Sequence, residues 1–224
     1  MIIALDGPAG SGKSTTARRV ASVLGYLYLD TGAMYRALAL AFLRRGASTD
    51  PESVRQLLAE ESLAVSLIDG EQHVWLGFED VSEAIREPEV SEASSRISAI
   101  PSVRSYLVAE QRRIAGAVLA TGGGVVMEGR DIGTVVFPDA RLKVYLTADP
   151  AVRAGRRAVE YAARGRTVDE VLLREDMAQR DARDAGRDVA PLKPAADALL
   201  LDTTHLSFDE QVDFIVRLAR ERGA

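Results

Sequence analysis

Residues 7–14 read Gly7-Pro8-Ala9-Gly10-Ser11-Gly12-Lys13-Ser14, and no other feature of the chain restricts its fold so tightly. The apolar run Ile2-Ile3-Ala4-Leu5 comes just before and reads as a buried strand. Thr15-Thr16-Ala17-Arg18-Arg19-Val20-Ala21-Ser22-Val23-Leu24 comes just after, with apolar positions at helical spacing. Strand, glycine loop and helix are the context in which this pattern forms a phosphate-binding loop. Its glycines let backbone N–H groups turn inward around phosphate oxygens, and the helix N-terminus adds partial positive charge. Gly7–Thr15 is therefore read as the site of a nucleoside triphosphate. Lys13 is expected on the β- and γ-phosphates and the Ser14 hydroxyl on Mg2+. A glycine turn that merely joins strand to helix would not require every fixed position of the pattern.

Composition bounds what surrounds the loop. A chain of 224 residues holds one substantial core with room for a small appended unit. No apolar run approaches the length of a membrane span, and no basic segment precedes an apolar one at the N-terminus, so neither a membrane nor a cleaved leader is expected. Cysteine is absent, which excludes disulfides and thiolate metal sites and points to a cytoplasmic setting. A net charge of −5 argues against a nucleic-acid partner. With no long exposed apolar segment in the sequence, a monomer is expected. The only lysines are Lys13, Lys143 and Lys193, so arginine, whose forked donors suit phosphate, carries most of the positive charge.

Strand and helix patterns alternate along the chain. Tyr26-Leu27-Tyr28-Leu29, Val125-Val126-Met127-Glu128, Leu142-Lys143-Val144-Tyr145-Leu146 and Ala198-Leu199-Leu200-Leu201 are further apolar runs bounded by turn signals, as in a parallel sheet covered on both faces. The fold class is α/β: an open five-stranded parallel sheet with helices on both faces and right-handed crossovers. Ligands then sit beyond the carboxyl ends of the strands. One segment breaks this rhythm. Leu63–Ile68, an Asp69-Gly70 turn and His73–Phe78 read as an antiparallel hairpin. Residues 62–92 are expected to form an inserted lobe, with 1–61 and 93–224 as the core; the alternative is an edge extension of the main sheet.

Arginines mark a second anionic ligand. Arg36 lies early in the helix after the second strand, and Arg130 and Asp131 come directly off the third core strand. Arg180, Arg183, Asp184 and Arg187 recur at spacings of three and four on the helix predicted over 168–186, which puts them on one face. Several arginines converging on one site would bind a phosphate monoester, whereas a solvated face laced with Arg–Asp pairs is the plainer alternative. Arg153, Arg156, Arg157, Arg164 and Arg166 follow the strand ending at Leu146-Thr147, with Asp149-Pro150 starting their helix. Small residues lie between them, which suits a lid over about 150–168 that closes on a transferring phosphoryl group; an ordinary surface helix is the alternative.

With Gly7–Ser14, the segments Asp30-Thr31-Gly32-Ala33-Met34-Tyr35-Arg36, Glu128–Ala140 and Arg187-Asp188-Val189-Ala190-Pro191-Leu192 resemble bacterial cytidylate kinase over nearly the whole length of the chain. The resemblance implies the nucleoside-monophosphate-kinase fold: a five-stranded core, a lid, and a monophosphate-binding domain enlarged by the insert. It implies transfer of the γ-phosphoryl group of ATP to CMP, and to dCMP, with Mg2+. Carried over by position, Arg36, Arg130 and Arg187 hold the CMP phosphate, and Thr31, Arg104 and Asp131 read the base. Ser95, Arg180 and Asp184 lie near the ribose. The catalytic set becomes Lys13, Arg130, Asp131, Arg153, Arg157 and Arg187, with Asp30 as a candidate for a metal-bound water. Asp131 can accept from the exocyclic amine of cytosine and Arg104 can donate to its acceptors, a pairing that uracil would break.

Two other readings stay open. Thr121-Gly122-Gly123-Gly124 is similar to the triple glycine of shikimate kinase, but that family places an Asp-x-Asp pair where this chain has Asp30-Thr31-Gly32. The glycines are read as a helix C-cap and a loop into the strand. The second alternative is a regulatory nucleotide-binding protein without turnover, disfavoured because all the expected arginines are kept.

Overall fold

The first strand, β1 (Ile2–Asp6), is buried at every position, which is why it reads as continuously apolar rather than alternating. In this computed structural model, which describes residues 1–68, 70–163 and 165–224, β1 lies at the centre of a five-stranded sheet. The Asp69 half of the expected Asp69-Gly70 turn, and Arg164 of the arginine cluster, lie outside the described residues. The other strands are β2 (Leu27–Asp30), β6 (Val125–Gly129), β7 (Leu142–Thr147) and β8 (Leu199–Asp202), in the order β2-β6-β1-β7-β8. β1 runs parallel to both β6 and β7, and β7 parallel to β8. Register puts Asp6 opposite Gly129 on one side and Tyr145 on the other, so β1 and β6 end level while β7 runs two residues further, to Thr147. The phosphate loop and the Arg130-Asp131 pair both leave from that rim, as the rule for open α/β sheets requires.

The chain divides into two compact units, Met1–Tyr28 with Val118–Ala224, and Leu29–Ala117. The core of the first packs Ile3, Leu5, Val126, Leu142, Val144 and Leu146 of the sheet against Ala17 and Val20 of α1 (Lys13–Leu24) and Val212, Ile215 and Val216 of α8 (Phe208–Glu221). A capping box fixes the start of α8: Glu210 N–H donates to Ser207 Oγ, and Ser207 N–H donates to the Glu210 carboxylate. The first unit also contains α6 (Pro150–Ala162) and α7 (Glu170–Ala185), which pack together. Asp149 caps α6 by accepting the Ala151 N–H at 2.7 Å, with Pro150 at the first helical position.

The second unit contains α2 (Thr31–Arg45), α3 (Pro51–Glu60), β3 (Leu63–Ile68), β4 (Glu71–Leu76), β5 (Glu79–Asp80), α4 (Pro88–Ile97) and most of α5 (Pro101–Ala120). Its strands form their own antiparallel sheet, β3-β4-β5, so the hairpin is no edge extension of the main sheet. The unit, 29–117, is larger than the hairpin segment, because α2 packs against both α4 and β4. Beyond α5, Gly123 N–H returns to the Val118 carbonyl at 3.1 Å, and Gly122 has φ +79°. A Cβ on Gly124 would enter the Tyr26 ring. The triple glycine is thus a helix C-cap and a close passage into β6. Among the described residues, no helix is long and apolar enough to cross a membrane.

Candidate active site

The phosphate loop is closed by approach distances that only glycine meets. Gly7 has φ +146°, and a Cβ there would run into the carbonyl oxygen of Leu146 on β7. Gly12 forms the N-terminal cap of α1 with φ 90°, and no side chain covers that cap, so the helix N–H groups face the loop interior. Lys13 is buried, and its Nζ donates to the Pro8 carbonyl at 2.5 Å and to Ser11 Oγ at 3.2 Å. Burial pushes its ammonium down to about 7, with the Arg130 guanidinium pushing the same way against Glu128, Asp6 and Asp181. A loop holding a cation at such a cost is built for an anion to relieve it.

Glu128, near the end of β6, has no local sequence signal that marks it as a site residue. It is buried, accepts the Ser14 hydroxyl at 2.8 Å and is also hydrogen-bonded by the Tyr28 hydroxyl. An acidic side chain on a core strand beside the phosphate-loop serine is a natural outer ligand for a hard cation. Among the described residues, no group of three or more His, Cys, Asp or Glu could hold a metal alone. One hydroxyl and one carboxylate fit Mg2+, which keeps water and phosphate oxygens as most of its ligands.

Asp6 continues the same rim. Its Oδ1 accepts the Ile132 N–H at 2.8 Å and its Oδ2 the Gly133 N–H at 2.7 Å, fixing the π-helical turn Ile132–Val136 that follows Arg130-Asp131. Burial nevertheless raises its carboxyl to about 6, with nearby Asp131 adding to the rise and the two amides opposing it. Asp131 is buried one residue before that turn. Asp184, on α7, is also buried. It accepts Arg130 Nε at 3.1 Å on one oxygen and Arg187 on the other, while its carbonyl takes the Leu192 N–H at 2.8 Å. One carboxylate thus holds two guanidinium groups together, and the Arg180–Arg187 face is not merely a solvated one. Arg180 is half-buried on the same helix.

Arg153 is buried, with Nη1 on the Ala9 carbonyl at 2.9 Å and on Asp181, and Nε on the Ala148 carbonyl at 3.2 Å. Arg157, one turn later on α6, pairs with Glu160 at 2.5 Å and lies over the Tyr161 ring, 5.0 Å from its centroid. Arg156 donates to the Thr203 hydroxyl and carbonyl at 2.9 and 2.7 Å, and the Thr203 hydroxyl donates to the Ser11 carbonyl at 3.1 Å. These contacts tie the start of α6 and the loop after β8 to the phosphate loop.

The remaining predicted residues, Asp30, Thr31, Arg36, Ser95 and Arg104, belong to the second unit. Asp30 caps α2 by accepting the Ala33 N–H at 2.9 Å and pairs with Arg36 at 2.8 Å. Gln72 of β4 grips the Asp30 backbone on both sides: its Oε1 accepts the Asp30 N–H at 2.7 Å and its Nε2 donates to the Asp30 carbonyl at 3.1 Å. Thr31 is buried in the first turn of α2. Arg104 is buried, donates to the Ser98 carbonyl at 3.3 Å and stands 5.8 Å from the Tyr35 ring centroid. Ser95 is buried rather than solvated, and its Oγ has no partner among the described residues. The Gln111 amide, on the same buried stripe of α5 as Arg104 and Leu107, is likewise without one. An orphaned buried polar group costs about 1–3 kcal/mol, so such groups suit a ligand or ordered water.

An open parallel sheet with a complete phosphate loop, a serine–glutamate pair beside it and clustered arginines defines a phosphate-loop phosphotransferase. A family profile described as cytidylate kinase matches residues 3–221. The chain is 48% identical over 216 residues to the cytidylate kinase of Salinibacter ruber, covering 96% of this chain and 95% of that protein. It is 49% identical over 222 residues to that of Streptococcus pyogenes serotype M5, covering 98% and 96%. The chain belongs to the cytidylate kinase family. An uncharacterized protein from Eubacterium ventriosum shares the fold, at 14% identity, TM-score 0.52, and coverage of 99% of this chain and 98% of that one.

Proposed function

We propose that the chain transfers the γ-phosphoryl group of ATP to CMP and to dCMP, giving ADP and the corresponding diphosphate. The observation that carries the acceptor assignment is the Asp184 carboxylate, which holds Arg130 and Arg187 together. Two adjacent guanidinium groups present a forked donor set to a phosphate monoester. ATP occupies Gly7–Thr15, with Lys13 on its β- and γ-phosphates. Mg2+, held at Ser14 and through water at Glu128 or Asp30, would neutralise phosphate charge when bound. In the first unit, Arg130 and Arg187 serve the CMP phosphate, Asp131 the cytosine, and Arg180 and Asp184 the ribose; in the second, Arg36 is assigned to the phosphate, Thr31 and Arg104 to the base, and Ser95 to the ribose.

An oxygen of the CMP phosphate attacks the γ-phosphorus, the bond from that phosphorus to the bridging β–γ oxygen breaks, and ADP leaves. No side chain need act as general base, because the second pKa of a phosphate monoester is about 6 and the nucleophile is already ionised at neutral pH. Arg153 and Arg157 oppose the charge on the transferring group, so catalysis is mainly positioning and electrostatics. The protein acts as a cytoplasmic monomer on small molecules rather than on nucleic acid or membrane.

A coupled ADP-release assay with ATP·Mg2+ and CMP, dCMP, UMP, AMP or shikimate tests this. Turnover with CMP and dCMP well above the others is expected. Preferential turnover of shikimate, or ATP binding with no turnover of any acceptor, would overturn the reading.

A further inference from the structure

We infer that Asp181, on α7, is a positioning residue that orients the phosphate loop and Arg153 together; the inference rests on Gly7–Thr15 being the donor site. Its Oδ1 accepts the Ala9 N–H at 3.2 Å and its Oδ2 accepts Arg153 Nη1 at 2.5 Å. The same Nη1 donates to the Ala9 carbonyl at 2.9 Å. A single ion pair therefore holds both backbone polar groups of one loop residue. The pair is largely withdrawn from solvent, with Arg153 and Asp181 side chains 11% and 17% exposed. Arg153 cannot swing away alone, because its Nε is held by the Ala148 carbonyl at 3.2 Å.

The next loop residue shows how closely these helices mould the loop. A Cβ on Gly10 would meet Met177 Cε of α7 at 2.8 Å and the Arg153 carbonyl oxygen of α6 at 2.9 Å. The far side of the loop is thus a surface made by α6 and α7, and Asp181 is its charged contact. Three residues on, about one helical turn, Asp184 holds Arg130 and Arg187. One helix brings a carboxylate to the donor loop and another to the acceptor arginines. Their spacing sets the donor phosphates against the acceptor phosphate.

Two consequences of removing the Asp181 charge oppose each other. Losing a negative charge beside Lys13, and leaving Arg153 uncompensated, favours binding of an anionic nucleotide. Losing the grip on Ala9 and Arg153 lets the loop and guanidinium drift from in-line geometry, which lowers turnover without weakening ground-state binding. A change in kcat with no loss of ATP affinity therefore identifies positioning.

The experiment is Asp181→Asn, with kcat from the ADP-release assay, Kd for ATP and for CMP by calorimetry, and Tm. We expect kcat to fall by about 10–10²-fold, ATP to bind no more weakly than to the wild type, and CMP affinity to change less than about twofold. Arg153→Met should lower kcat comparably, and adding it to Asp181→Asn should cost little more, since residues acting as one unit are not additive. Unchanged kcat would overturn the inference, as would fully additive losses. A joint fall of kcat, both affinities and Tm would show a merely structural residue. If Asp181→Asn does not fold, Asp181→Glu keeps the charge, displaces the carboxylate by one methylene, and must show the same loss of kcat. Failure of the underlying donor-site reading is distinct, because the wild-type protein would then not bind ATP.

Discussion

At the scale of single residues, the phosphate loop holds one charge away from its ordinary state. Lys13 has its ammonium pushed down to about 7 by burial and by Arg130. For folding, the sign is that the unfolded chain holds a proton the folded chain gives up between about 7 and 10.5, so this residue's contribution to stability rises with pH across that window. For binding, the sign reverses. Triphosphate supplies the missing negative charge, raises the Lys13 pKa and draws a proton in. Calorimetry of ATP binding at pH 8 in two buffers of different ionisation enthalpy should show net proton uptake, and Lys13→Met should abolish it. Equal apparent enthalpies in the two buffers for the wild type would contradict this account. Arg187 supplies a second prediction at this scale. Since it and Arg130 share the Asp184 carboxylate, Arg187→Ala should raise the CMP KM by ~10²-fold or more, the loss of a charge-assisted pair worth about 3 kcal/mol. ATP affinity should stay within about threefold. Similar losses of both affinities, read by calorimetry, would remove Arg187 from the acceptor site.

At the scale of elements, the turn after β6 is where stability and function part company. Asp6 is raised from 3.8 to about 6, so its stabilising contribution is present below pH 3.8 and lost as pH rises through about 6. At pH 7 its ionisation in the interior costs about 3 kcal/mol. Asp6→Asn removes that cost but replaces one of two amide acceptors with a donor, a loss of about 1–3 kcal/mol. The two nearly cancel, so the Tm at pH 7 should move by only a few degrees, while the difference between variant and wild type should shift in the variant's favour as pH rises from 4 to 7. Turnover of CMP should nonetheless fall at least tenfold, because Ile132 and Gly133 no longer hold the chain just after Arg130-Asp131. Thermal melts across pH, with kcat at pH 7, check both halves.

The same element shows what could be read from the sequence and what could not. Buried parallel strands announce themselves as apolar runs, the phosphate loop as a fixed pattern, and the hairpin as a turn between β-branched segments. All of these are local signals. Glu128, Asp6 and Asp181 give no local signal, because each is defined by a partner far along the chain: Ser14 is 114 positions from Glu128, Ile132 is 126 from Asp6, and Ala9 is 172 from Asp181. Gln72 is similar at shorter range, gripping Asp30 from 42 positions away. Arg153 was visible as one of a run of arginines, but its place against the Ala9 carbonyl depends on the packing of α6.

At the scale of the whole molecule, the chain contains two compact units, and the phosphate loop belongs wholly to the first. A ligand that binds only folded protein stabilises what it touches by about 2.7 kcal/mol at a hundredfold excess over Kd. Hydrogen exchange with saturating ATP should therefore protect β1, β6 and β7 by up to that amount, and β3 and β4 by less. Equal protection of both sets would mean that the units open as one. A large-to-small change in the first core checks its cooperativity. Ile215 is fully buried against the sheet, and Ile215→Ala should cost about 2–5 kcal/mol, read as a lower Tm with the ATP-induced shift retained.

The strand order β2-β6-β1-β7-β8 has a consequence for how the protein is made. Of the five strands of this sheet, β1 precedes the others in the chain yet ends at the centre, and its partners begin at residues 125 and 142. At about 5–20 residues per second, β1 and the phosphate loop wait roughly 7–28 s for both neighbours. Leu29–Ala117 is one continuous segment and emerges whole before either neighbour is complete. Nucleotide binding by a nascent chain should therefore switch on only after β7 has emerged, and not when the phosphate loop itself does.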